Sequence, residues 1–114
     1  MKTIFVGTDR KPFVLEFEDE LQNFQSLVGG RIEVLHFHTE GSRTIDLIFN
    51  EEYRFLFDEV NRWIVYPGGE KDYISGNIIV VAANEETGEF DSLTDDEVKF
   101  YLKEFEKDTL TITH

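Results

Sequence analysis

The sequence predicts an α+β domain: a single, mainly antiparallel sheet of five to seven strands with two helices packed on one face. Three observations carry this. The run Gly76-Asn77-Ile78-Ile79-Val80-Val81-Ala82-Ala83 is apolar without alternation, as a strand covered on both faces at the middle of a sheet must be. Other segments alternate with period two and are joined by hairpin-like turns, not by regularly interposed helices. Only two segments carry clear helical spacing.

Taken in order, Lys2–Val6 reads as a first strand and Phe13–Phe17 as a second, with Asp9-Arg10-Lys11-Pro12 as turn chemistry between them. Phe13, Leu15 and Phe17 share one face. Asp19 is placed to cap a helix, with Gln22 in the reciprocal position of a capping box, and Leu21, Phe24, Leu27 and Val28 fall on one side of it. Gly29-Gly30 ends it, because a left-handed helix terminus suits glycine. Arg31–His38 and Arg43–Phe49 form a hairpin across Thr39-Glu40-Gly41-Ser42. In the second of these strands Ile45, Leu47 and Phe49 share a face. In the first the register is open, since Ile32 and Val34 point one way and Leu35 and Phe37 the other.

After the Asn50-Glu51-Glu52 turn, Tyr53–Phe57 reads as a short strand. Asp58–Tyr66 is ambiguous: Val60, Trp63 and Ile64 share a helical face, yet Trp63-Ile64-Val65-Tyr66 is strand-like. Pro67–Asp72 is a loop, and the central strand follows. Thr94-Asp95-Asp96-Glu97 is the strongest local signal, a capping box with acids in the first turn where the helix dipole favours them. Val98, Tyr101, Leu102 and Phe105 form the buried stripe of that helix, and Phe100 lies off it. The tail Thr109–Thr113 alternates and is expected to add an edge strand, through which a second copy can pair.

With 114 residues the chain forms one domain, 1–114, able to bury roughly two-thirds of its unfolded surface. Eleven phenylalanines, four tyrosines and one tryptophan supply the core. No cysteine is present, which excludes disulfides, thiolate zinc sites and a thiol nucleophile and suits a reducing cytoplasm. The apolar start Met1–Val6 is broken by Gly7-Thr8-Asp9-Arg10-Lys11, too soon for a signal peptide, and no segment is long enough to cross a bilayer. The net charge of −13 repels nucleic acid and anionic membranes and attracts basic surfaces. Neither direct nucleic-acid binding nor membrane contact is expected.

Four groups of residues bear on function. The acidic third from Glu85 to Asp108 includes Glu85, Glu86, Glu89, Asp96 and Glu104; it is either a surface imitating spaced phosphates or a solvated face with helix-capping acids. Phe100 is a candidate interface anchor, unless the tail or the sheet covers it. His36 and His38 at strand spacing project to one side, but with no third ligand nearby they read as ordinary sheet histidines, and no metal or cofactor is expected. Asn61, Arg62, Trp63 and Tyr66 put an amide, a guanidinium and aromatic rings in one stretch. That stretch is either a pocket for a nucleotide-like ligand or a core tryptophan, a turn asparagine and an arginine paired with Asp58 or Glu59. No catalytic motif stands out, and an enzyme is not expected.

Several short pieces line up in order between Leu21 and Phe105: Val28-Gly29-Gly30-Arg31-Ile32-Glu33-Val34, Asn50-Glu51, Asn61-Arg62, Gly76 opening an apolar strand, and Ser92-Leu93-Thr94-Asp95 before the last helix. In these the chain resembles a family of small proteins of unknown function encoded on bacteriophages and on conjugative elements of bacteria. It departs from the family before Asn61, where Phe57-Asp58-Glu59-Val60 replaces a proline-containing turn. The resemblance implies an accessory protein that binds and blocks a host or defence component, and the charge implies that this partner is basic. The alternative is a small-ligand binder centred on Asn61-Arg62-Trp63.

Overall fold

The computed structural model describes residues 1–113 and has the α+β architecture the sequence predicts. The elements run β1 (Lys2–Val6), β2 (Phe13–Glu16), α1 (Leu21–Val28), β3 (Ile32–Glu40), β4 (Arg43–Asn50), α2 (Tyr53–Leu56), β5 (Val60–Val65), β6 (Lys71–Ser75), β7 (Ile78–Asn84), β8 (Phe90–Asp91), α3 (Asp95–Glu104) and β9 (Thr109–Thr111). The main sheet is antiparallel in the order β2-β1-β7-β4-β3, with β8 pairing β7. A second, three-stranded sheet has the order β6-β5-β9, and β9 runs parallel to β5.

The position of β7 follows from its composition. Ile78, Val80 and Ala82 face one core with Ile4, Leu47 and Phe37, while Ile79 and Val81 face the other with Phe5, Phe24 and Ile48. Both faces of the main sheet are therefore covered. The larger core is closed by the second sheet and by Tyr101 and Phe105 of α3, the smaller by Phe24 and Val28 of α1. The two longer helices thus lie on opposite faces of the main sheet, where the sequence suggested one. A strand apolar on both sides requires a cover on each.

Local chemistry explains the remaining differences. Glu20, not Asp19, precedes α1 and gives no side-chain cap; instead the Asn23 amide donates back to the Glu18 carbonyl at 2.9 Å. Leu21 is consequently exposed, and Phe24 and Val28 carry the burial. Gly29 ends α1 in the left-handed region, φ 84°. Tyr53–Leu56 is a helical turn, not a strand, because the Asn50 side chain accepts a hydrogen bond from the Glu52 amide at 2.8 Å and turns the chain. Within Asp58–Tyr66, Val60–Val65 is strand and no helix forms. β6 and β8 escaped the sequence reading, β6 because it sits against Gly76. Gly76 has φ 80°, and a Cβ there would lie 2.7 Å from the Phe57 ring, so this break between β6 and β7 requires glycine.

The tail forms β9 as expected. Beyond it, Thr113 pairs with His38 of β3: the Thr113 amide donates to the Phe37 carbonyl at 2.9 Å and its carbonyl accepts from Thr39 at 3.3 Å. The tail thereby bridges the two sheets, and its second edge is taken at Thr113 by the same chain.

Candidate functional site

The acidic residues are gathered by three connections. Arg43, paired with Asn84 across the β4–β7 ladder, reaches Glu97 of α3 and Asp91 of β8. The Glu85 amide donates to the Ser42 carbonyl at 2.8 Å, which anchors the Asn84–Glu89 turn on the β3–β4 hairpin. Asn84 accepts from the Glu86 amide at 2.9 Å and so shapes that turn. In α3 the Thr94 hydroxyl accepts from the Glu97 amide at 3.1 Å, and the Glu97 carboxylate accepts from the Thr94 amide at 2.8 Å. The hairpin, the turn and the N-terminus of α3 therefore share one end of the molecule.

At this end Glu40, Glu85, Glu86, Glu89 and Asp96 are exposed and form no ion pair among the described residues. Asp95 pairs with Lys2 at 2.9 Å, and Asp91 and Glu97 pair with Arg43. Asp96, Phe100 and Glu104 follow one another at four-residue spacing and so line one face of α3. Phe100 is 58% exposed and packs edge-on against Tyr101 at 5.0 Å. It stands between two shallow clefts, one of about 280 Å³ shared with Glu40, Arg43 and Asp96, the other of about 190 Å³ shared with His38 and Glu104. The tail does not cover it. Among the described residues Glu104 is the one acid of this stripe with a cationic partner, Lys107 at 3.0 Å.

The second group divides. β5 has a bulge at Asn61, between the pairs Val60↔Ser75 and Arg62↔Ile74, which turns both Asn61 and Arg62 inward. The Asn61 amide donates to the carbonyls of Val6 at 2.9 Å and Gly76 at 2.7 Å. Arg62 donates to the Asn61 carbonyl and side-chain oxygen, each at 2.8 Å, and through two nitrogens to the carbonyl of Phe105, just past the end of α3. A guanidinium there complements the negative end of the helix. Burial lowers the proton affinity of Arg62, and the nearby Asp108 charge opposes that shift. Neither Asp58 nor Glu59 is its partner. Trp63 points outward, 39% exposed, with Lys71 over its ring and Tyr73 at its edge, so it is not a core tryptophan. Asn61 and Arg62 line a cleft of about 540 Å³ together with Arg10 and Lys11, whereas Tyr66 lines a different cavity and Trp63 neither.

The histidines also part. A bulge between His36 and His38 shifts the register, so His36 meets Asp46 at 2.8 Å on the α1 side while His38 pairs with Ile45 and bonds Thr113 at 2.6 Å. They do not project to one side, and among the described residues no group of three or more metal-ligating side chains is assembled. Among the described residues no helix is long and apolar enough to cross a membrane.

Fold and site together define an α+β domain of two packed sheets with one strongly acidic end. The chain belongs to the family described as a domain of unknown function, DUF3846, whose model matches residues 1–106. Comparison with curated proteins and with solved structures returned no match.

Proposed function

We propose that this protein is a non-catalytic binding protein whose acidic end docks on a basic surface of another protein, one built to hold nucleic acid, and blocks it. The observation that supports this reading is the meeting of three acidic segments, distant in sequence, beside the exposed ring of Phe100. Unpaired carboxylates steer a basic partner and compete for the lysines and arginines that phosphates would engage. Phe100 supplies what charge lacks, an apolar anchor that fits a pocket. With the family resemblance this gives a setting: an accessory protein of a bacteriophage or conjugative element, acting in the bacterial cytoplasm on a host or defence protein. The test is affinity capture from bacterial lysate with salt and duplex-DNA competition. Retention of nucleic-acid-binding proteins that duplex DNA displaces, and that Phe100→Ala loses, supports the reading; retention indifferent to both contradicts it.

A second reading, a small anionic or nucleotide-like ligand, is favoured by one observation. Among the described residues Arg62 is buried without a carboxylate at ion-pair distance, beside a cleft that Arg10 and Lys11 line together with Asp9, Glu106 and Asp108. Native mass spectrometry that finds a co-purifying anion, lost in Arg10→Ala/Lys11→Ala, would favour it over the first.

A further inference from the structure

At the opposite end of β3 from Glu40, a cavity of about 250 Å³ opens between the two sheets. Tyr53, Tyr66 and Tyr73 wall it, and the carboxylates of Glu33, Glu51 and Asp72 rim it. Seven residues of extended chain separate Glu33 from Glu40, about 23 Å, so this is not the acidic end described above. Tyr53 is 6% exposed, and its hydroxyl, which is not among the buried unpartnered polar atoms of the described residues, opens on the cavity without a hydrogen bond to the chain. A hydroxyl so placed takes its partner from whatever enters the cavity, water or a ligand. Its ring is fixed edge-on between Phe49 and Tyr73, at 5.5 and 5.7 Å. Glu33 likewise has no ion-pair partner among the described residues.

The aromatic walls already hold one cation. The Arg54 guanidinium lies 4.9 Å from the Tyr53 ring centre and 5.0 Å from that of Tyr73, held by Asp72 at 2.7 Å. With Asp72 paired to Arg54 and Glu51 to Arg31, Glu33 is the rim carboxylate left without an ion pair among the described residues. Burial raises the proton affinity of the Tyr53 and Tyr66 hydroxyls, and the negative charges of Asp72 and Glu33 raise it further.

We infer that this cavity binds an alkyl cation, an ammonium or guanidinium on an aliphatic stem, with the Tyr53 hydroxyl and the Glu33 carboxylate as acceptors for its head and the tyrosine rings against its stem. The volume suits a lysine-sized group and is too small for a nucleotide. Two sources share that chemistry, a basic side chain of a polypeptide and a free polyamine. The inference does not depend on the proposed acidic interface.

The test is an NMR titration of the full chain with Nα-acetyl-lysine methylamide, its Nε-acetylated form and spermidine. The charged probes should move the amides of Tyr53, Tyr66 and Tyr73 and the neutral one should not. Tyr53→Phe and Glu33→Gln should each weaken binding about fivefold or more. Tyr53→Phe should leave the melting temperature unchanged, since the hydroxyl lacks an internal partner. Tighter binding of spermidine assigns a free polyamine and the reverse a side chain, and the site stands in either order. Equal binding of the neutral probe, no response to any probe at millimolar concentration, or full affinity in both variants would overturn the site.

Discussion

Arg43 grips Glu97 in a two-pronged pair, Nε to Oε2 at 2.9 Å and Nη2 to Oε1 at 2.6 Å, and so fastens the β3–β4 hairpin to the first turn of α3. Charge-assisted pairs of this geometry fix orientation as well as distance. The same Glu97 closes the capping box on Thr94. One carboxylate therefore starts the helix and holds the acidic end as a single surface.

Arg43→Ala should cost about 1 kcal/mol at neutral pH, the pair being partly screened by solvent. The Arg43 hydrogen bond holds the Glu97 carboxyl below the usual glutamate range, with the Thr94 bonds adding to it against desolvation. A carboxyl with a lowered folded-state pKa stabilises the fold above its unfolded value and loses that contribution as pH falls through the folded value. The acid limb of the stability curve should accordingly flatten in Arg43→Ala. Urea unfolding at neutral pH and at a series below the ordinary glutamate range measures both effects.

Tyr101 gives the opposite limb. Burial pushes its hydroxyl up to about 12, with the charges of Glu97, Glu104 and Glu40 adding to the rise. A raised folded-state pKa means stability is full below about 10 and is lost as pH climbs towards 12. Tyr101→Phe should remove that alkaline loss while keeping the ring against Phe37 and Phe105. Phenolate absorbance during alkaline titration should show one fewer late-titrating tyrosine in the variant than in the parent, Tyr53 and Tyr66 being raised in both.

Asn61 and Arg62 join the end of β1, the Gly76 turn and the end of α3 into one hydrogen-bonded corner. Asn61→Ala leaves two carbonyls and part of the guanidinium unpaired, and should destabilise by about 3 kcal/mol. Arg62→Met should cost a similar amount. If this corner is structural, whatever Arg62→Met protein remains folded should bind a partner at the acidic end as the parent does. Thermal melts beside binding isotherms separate the two effects.

The fold was legible where local chemistry and tertiary packing agree. The two-faced apolarity of β7, the Thr94–Glu97 capping box and the Gly29 terminus all mark their elements. It was illegible where a single tertiary contact decides. The Asn50 side chain turns Tyr53–Leu56 into helix, and the bulges at Asn61 and before His38 break the alternation that marks a strand. Of the candidate site, the exposure of Phe100 followed from its place off the buried stripe of α3. The convergence of Glu40, Glu85 and Asp96 did not, because it depends on Arg43 reaching across more than fifty positions of sequence. The burial of Arg62 was hidden for a similar reason: its acceptor is a backbone carbonyl, which leaves no mark in the side-chain sequence.

Charge alone also predicts a particular kinetic pattern. Glu85→Gln/Glu86→Gln/Glu89→Gln removes three exposed, unpaired carboxylates. It should slow association about tenfold at low ionic strength and leave dissociation nearly unchanged, as rim charges do. Stopped-flow or surface-based kinetics across a salt series would show this.

The most direct test of the acidic-interface account is the affinity of Phe100→Ala for the captured partner, measured against ionic strength beside the parent. The account predicts a loss of about tenfold or more at every salt concentration with the salt dependence retained, since the ring anchors and the carboxylates steer. Unchanged affinity in Phe100→Ala, or parent binding insensitive to salt, would contradict it.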